Sequence, residues 1–239
     1  MTGPGLIALI PARAGSQRVP HKNTRLLGGH PVLAYTVHAA QGSRMFERIY
    51  VCTNDTAAKA IGVAMGVSII DRGAADGDQA DIVWVRQAIE AAGHPQAFAI
   101  LRPTSPFRTA RTIQRAVEVY SNSGADSIRA VELVAQHPGK MWVIVGRYMT
   151  PILSGRAYGN PWHSLPTQVL PPYYLQNSSL EIAGTSAVVA HGAIHGQRVA
   201  PFFTTGEEGF AIDTEADWLQ AEAIARRPEW ANYWEDCMR

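Results

Sequence analysis

Short apolar runs alternate with helical segments of ten to thirteen residues through the first 130 positions, and that alternation leaves few folds open. Leu6–Ile10 reads as a buried first strand, ended by Pro11. Arg48–Thr53, Val67–Ile70, Ala97–Leu101 and Ser127–Leu133 read as four more strands. Between them, apolar spacing predicts helices over Pro31–Ala40, Thr56–Met65, Ala80–Ala92 and Arg111–Tyr120. Asp55 is a cap for the second helix and Gly66 its stop. The pattern predicts an α/β fold: a mainly parallel sheet with helices on both faces. Ligands of such sheets bind beyond the carboxyl ends of the strands, so the polar loops after strands one to four are expected along one rim.

From Gln136 to Ser179 the helical period disappears and Pro, Gly, Tyr and Trp take over. A disordered linker would be poorer in aromatics. The stretch 136–179 reads as an extended, β-rich arm inserted within a single domain, 1–239, and as a candidate subunit contact; a long ordered loop on a monomer is the alternative. Ile182–Val189 and Val199–Phe203 read as further strands. Thr214–Arg226 reads as a last helix capped by Asp213 or Thr214, and Trp230, Tyr233 and Trp234 as an edge seal.

With 46% hydrophobic residues the chain can build a sizeable core, and its net charge of +1 argues against a general nucleic-acid or membrane-surface binder. Cys52 and Cys237 are far apart and form no metal-binding spacing; Cys52 sits in an apolar run and reads as inert core. No run approaches membrane-span length, and the opening residues lack the basic start of a signal peptide, so a soluble cytoplasmic protein is expected.

The loop after the first strand carries the chemistry. Gly15 and Ser16 stand among Arg13, Arg18 and Lys22. Small residues let the backbone approach a ligand, and exposed N–H groups flanked by cations suit a polyphosphate. Neither the P-loop pattern G-x-x-x-x-G-K nor the Rossmann pattern G-x-G-x-x-G is present, so phosphate must be held another way. Nor is a Ser/His/Asp order or a metalloprotease motif evident.

The loop P-A-R-A-G-S-Q-R-V-P-H-K-N resembles the first-loop signature of the CMP-sialic acid synthetases, the acylneuraminate cytidylyltransferases. So do V-C-T-N-D, D-R-G-A-A-D-G-D-Q-A, L-R-P-T-S-P-F-R, H-P-G-K, L-P-P-Y-Y-L-Q-N-S-S and F-A-I-D-T-E-A-D-W-L-Q-A-E, in order along almost the whole chain. The resemblance implies a Rossmann-like nucleotidyltransferase with a dimerisation arm. It implies transfer of CMP from CTP to the anomeric hydroxyl of a nine-carbon (or eight-carbon) 2-keto sugar acid, with Mg2+ required and pyrophosphate released. A homodimer built through the arm is implied as well.

By the same resemblance, Arg13, Lys22 and Asp213 are the catalytic residues, with Asp213 the metal ligand. Ala12, Arg13, Gly15, Ser16, Lys22, Asn23, Arg72 and Asp78 would hold the nucleotide. Arg102, Thr104, Ser105, Lys140 and Asn177 would hold the acid, arginine being suited to a carboxylate. The chain departs from the family pattern at three places. Arg102 stands where glutamine is common, Ala211 where the first of two aspartates stands, and Gln17 where lysine is frequent. These departures keep other readings open: another acceptor, such as a sugar phosphate or phosphonate, another nucleoside triphosphate, or a non-catalytic nucleotide binder.

Overall fold

The computed structural model describes residues 5–73 and 80–234. The chain packs as two compact units: one from the first 130 residues together with 177–239, and a smaller one, Val131–Gln176.

A seven-stranded sheet organises the larger unit. Its strands are β1 (Leu6–Pro11), β2 (Arg48–Thr53), β3 (Ser68–Asp71), β4 (Ala97–Ile100), β5 (Ser127–Leu133), β6 (Tyr174–Gly184) and β7 (Val199–Phe203). Their spatial order is β7-β5-β6-β4-β1-β2-β3. β1 pairs in parallel with β2 on one side (Ile10 opposite Val51) and with β4 on the other (Leu9 opposite Ile100), and β3 continues the parallel set beside β2. β6 joins antiparallel to β4, with Glu181 opposite Ile100. The expected mostly parallel α/β sheet is what the chain forms.

Both faces of β1 are covered, which explains its unbroken apolar run. Leu6, Ala8 and Ile10 point to one core, shared with Leu33 and Val37 of α1 (Val32–Ser43), Ala58 of α2 (Thr56–Ala64) and Ile113 of α4 (Ala110–Ser123). Ile7 and Leu9 point to the other, shared with Trp84, Val85 and Ile89 of α3 (Asp81–Ala91) and Val188 of α5 (Thr185–His191). Cys52 belongs to this second core; burial pushes its thiol up to about 12, so it is inert. Asp55 caps α2 by accepting from Ala57 N and Ala58 N, as expected.

The strand expected over Ile182–Val189 is a correction. β6 ends at Gly184, and Thr185–His191 is α5, closed by Gly192 in the left-handed region (φ 64°). The paired valines of that segment favour extended backbone, but a glycine placed to accept the left-handed turn lets the chain coil instead.

A third core lies beneath the loop that follows β1. Val19, Leu27, Val32, Tyr35, Phe107 and Ile212 pack there on Trp218 of α6 (Glu215–Ala225). Trp230 of α7 (Pro228–Ala231) joins the same core, with Tyr233 and Trp234 against it. Thr214, not Asp213, caps α6, in a reciprocal box with Asp217.

The smaller unit overlaps the aromatic stretch 136–179 and is built from short hairpins, Trp142–Val145 on Tyr148–Pro151 and Arg156–Ala157 on Asn160–Pro161. His137 anchors it, its Nε2 at 2.9 Å from Pro171 O and its ring edge-on to Tyr173.

Candidate active site

A cleft of 540 Å³ opens at the carboxyl ends of the parallel strands. Pro11, Arg13, Ser16, Gln17, Arg18, Val19, Lys22 and Asn23 reach it from the loop after β1. Arg72 follows β3; Arg102, Pro103 and Thr104 follow β4; Asp81 opens α3, Ser178 lies on β6 and Asp213 precedes α6. Among the described residues, five cations thus line the cleft against two carboxylates. Such an excess marks a site for a polyanion.

The loop after β1 is held by its neighbours. Ala12 continues the ladder, its N–H donating to Cys52 O at 3.0 Å, and its own carbonyl accepts from the Thr53 hydroxyl. Asn54 Oδ1 accepts from Ala14 N at 2.9 Å. Asn23 Nδ2 donates to Arg13 O at 3.3 Å while its carbonyl takes Leu33 N–H at the start of α1. Gly15 sits between these ties at φ 78°, a conformation that costs an L side chain. Asn54 is a residue the sequence motif contained without a role; its position just past β2 fits it to brace the loop.

Lys22 crosses the cleft floor. Its side chain is only 13% exposed, and Nζ donates to Ile212 O at 2.7 Å and lies 3.4 Å from Asp213 Oδ1. Desolvation lowers its pKa from the ordinary lysine value; Asp213 opposes that, and Arg18 and Arg13 add to it. Arg18 also reaches Asp213, at 3.4 Å. Arg72 lays its guanidinium 4.8 Å from the ring centroid of Trp84. Burial lowers the Arg72 pKa, with Asp81 opposing and Arg13 and Arg102 adding.

Arg102 is held in a network. Its Nη2 donates to Asp81 Oδ2 at 2.6 Å and to Glu181 Oε1 at 3.0 Å. Burial disfavours its charge, but the two carboxylates prevail and raise its pKa. Asp81 is a site residue that the sequence reading missed, because an acidic residue in a first helical turn reads as an ordinary complement to the helix dipole.

Other expected residues have the following surroundings. Ala12 is fully buried, and the sheet uses both of its backbone groups, so it supports the loop. Ser105 is buried, its N–H closing a turn on Arg102 O. Asn177 spends its amide on Thr204 Oγ1 (2.8 Å) and Ser179 N (3.1 Å), and its neighbour Ser178 faces the cleft instead. Lys140 belongs to the smaller unit, where Nζ lies 3.4 Å from His163 O. Asp78 lies outside the described residues.

Among the described residues no three His, Cys, Asp or Glu side chains come together as a metal cage. Asp213 presents a half-exposed carboxylate to the cleft, while Asp81, the other carboxylate among the described lining residues, is engaged by Arg102. Asp217 does not join Asp213: Oδ2 accepts from Asp213 N (3.0 Å), Thr214 N (2.8 Å) and Thr214 Oγ1 (2.9 Å). One carboxylate beside an anion site fits Mg2+, which takes few protein ligands and completes its shell with water and phosphate oxygens.

Residues 7–199 match the model of a protein family described as cytidylyltransferase. The chain belongs to this family. Its cytidylyltransferase relatives include a CMP-N,N'-diacetyllegionaminic acid synthase of Legionella pneumophila, 31% identical over 92% of this chain and 95% of that protein. An N-acylneuraminate cytidylyltransferase of Streptococcus agalactiae is 27% identical over 89% of this chain, which spans 51% of that longer protein. The resemblance to the CMP-sialic acid synthetases read from the loop motifs is therefore confirmed. Among solved structures, a CMP:2-keto-3-deoxy-manno-octonic acid synthetase complexed with CTP superposes with a TM-score of 0.66 at 14% identity, covering 92% of this chain and 97% of that one. A cytidylyltransferase from Leptospira borgpetersenii gives 0.61 at 16%, covering 98% and 92%. Both share the fold of this cytidylyltransferase.

Proposed function

We propose that this cytidylyltransferase transfers CMP from CTP to the anomeric hydroxyl of a nonulosonic 2-keto acid, releasing pyrophosphate. The observation that carries the reading is the cation-rich cleft at the strand ends, with Arg13, Arg18 and Lys22 around the Gly15–Ser16 bend and Asp213 across from them. The names of the relatives supply the acceptor class.

Nucleotidyl transfer asks the protein for placement and charge neutralisation more than for covalent chemistry. In this reading the N–H groups of Gly15 and Ser16 and the side chains of Arg13, Arg18 and Lys22 hold the triphosphate and the departing pyrophosphate. Asn23 reaches the ribose or a phosphate, and Arg72 lies toward the base and ribose. Arg102 and Thr104, with Ser178, face the acceptor, whose C2 hydroxyl attacks the α-phosphorus in line. Asp213 would hold Mg2+, which supplies Lewis-acid neutralisation of the phosphate charge when bound.

Pyrophosphate release measured for four nucleoside triphosphates against a panel of nonulosonic acids, sugar phosphates and phosphonates tests this. Turnover confined to CTP with nonulosonic acids is the expected result. Turnover only with a phosphorylated acceptor, or tight CTP binding without any turnover, would overturn it.

Lys22 adds a pH signature. Its pKa is lowered in the free protein, and bound phosphate favours the ammonium, so CTP binding draws a proton onto Lys22 wherever it is partly neutral. CTP affinity is therefore expected to fall as pH rises through the lowered pKa, below the ordinary 10.5. Lys22→Met should bind CTP at least about tenfold more weakly at neutral pH, the loss of one charged phosphate contact, and flatten that profile. Calorimetric titration across pH 7–10 reads both.

We place the protein in the cytoplasm, where CTP is made, and read it as a homodimer joined through the smaller unit. The hairpin there exposes Ile144 and Met149 on one face and Val145 and Tyr148 on the other, apolar surface of the kind that marks an interface. Ile144→Asp is expected to shift the molecular mass in light scattering from dimer to monomer; an unchanged mass would count against the arm.

A further inference from the structure

Arg108 ends the segment 102–108 that follows β4, and its side chain is wholly buried. Its Nη1 donates to Ser179 O on β6, beside the cleft-lining Ser178. Its Nη2 donates to Thr36 Oγ1 of α1 at 3.1 Å. Nε finds no acceptor among the described residues. Both acceptors are neutral, and among the described residues no carboxylate pairs with the guanidinium. Burial pushes its pKa down to about 9, with Tyr233 opposing, so the group is a cation at neutral pH. Three of the cations that reach the cleft differ. Arg102 is answered by Asp81 and Glu181, and Arg18 and Lys22 lie against Asp213.

Arginine is rarely buried whole without a counter-charge, because an ion taken out of water is stabilised only by what surrounds it. Two neutral oxygens need donors, not a net charge. An anion entering the cleft offsets that charge across the protein wall, where the effective dielectric is low and salt screens less than at the surface. We propose that Arg108 is a positioning residue for the nucleotide: its buried charge acts through space, from behind Ser178, and draws the phosphate chain into the cleft without touching it. The inference rests on the reading of the cleft as a nucleotide site and deepens it, adding a cation that no surface of the cleft displays.

Calorimetric titration of the full-length protein with CMP, CDP and CTP, without metal, tests this through the charge of the ligand. Arg108→Gln keeps an N–H donor for the buried oxygens and removes the charge. Its loss of affinity should grow by about threefold for each added ligand charge, so that CTP loses about tenfold more than CMP. Arg108→Lys keeps the charge and should hold the CMP-to-CTP gradient within about twofold of the unmodified protein. Should the glutamine variant not fold, as read by its thermal midpoint, Arg108→Met fills the same space and replaces it. An equal loss for all three nucleotides is what a merely structural role gives, and it would overturn the proposal. So would unchanged affinities, or a lysine variant as impaired as the glutamine one. If the unmodified protein binds CTP no more tightly than CMP, the reading of the cleft as a triphosphate site falls instead.

Discussion

Asp213→Ala is expected to lower the rate of pyrophosphate release about a thousandfold, or ~4 kcal/mol of transition-state stabilisation. The size follows from isolation. Position 211, two residues before it, is alanine, so the segment leading into Asp213 offers no second carboxylate there. Asp217 cannot move in, because three hydrogen bonds commit its Oδ2 to the start of α6. Stability should scarcely change. The ion pairs of Asp213 with Lys22 and Arg18 are long and partly exposed, and such pairs are worth ~0–1 kcal/mol. The two readouts are therefore separable: a pyrophosphate assay that collapses and a thermal midpoint that stays in place. Activity retained within about tenfold would remove Asp213 from the chemistry.

The sheet was legible in the sequence because β1, β2 and β4 are buried on both faces and so read as apolar runs. The loop after β1 was legible because an anion site demands small residues and cations close together. What stayed hidden is relational. Asp81 and Glu181 acquire their role only when α3 and β6 bring them to Arg102, and nothing local marks a carboxylate whose partner is 79 or 21 positions away. Asn177 and Ser178 show the same limit. The motif draws the eye to the asparagine, yet period-two alternation along β6 places adjacent side chains on opposite sides, and the serine faces the cleft. The helix at Thr185–His191 was missed because its valines carry strand propensity, while its stop signal, Gly192, lies beyond the segment that propensity weighs.

Trp218→Ala is expected to cost ~3–5 kcal/mol, the range for emptying a fully buried aromatic site. For a chain of this length that lowers the thermal midpoint by roughly 6–20 °C. The ring is 1% exposed and sits amid Val19, Leu27, Tyr35 and Ile212. Its indole N–H donates to Glu222 at 3.1 Å, and the Arg25 guanidinium lies 4.0 Å from its centroid. Deletion therefore leaves a cavity, a Glu222 oxygen without its indole donor and an arginine without its aromatic face. The consequence reaches the cleft. Val19 belongs to the cation-bearing loop, and Ile212, whose carbonyl holds Lys22, adjoins Asp213 in the chain, so one core fixes both walls of the anion site. Activity below the melting range should fall with a raised KM for CTP, because the loop loses its footing before the sheet does. A variant that loses stability but keeps its KM for CTP would show that the loop is held by Asn54 and Asn23 alone, independently of the core beneath it.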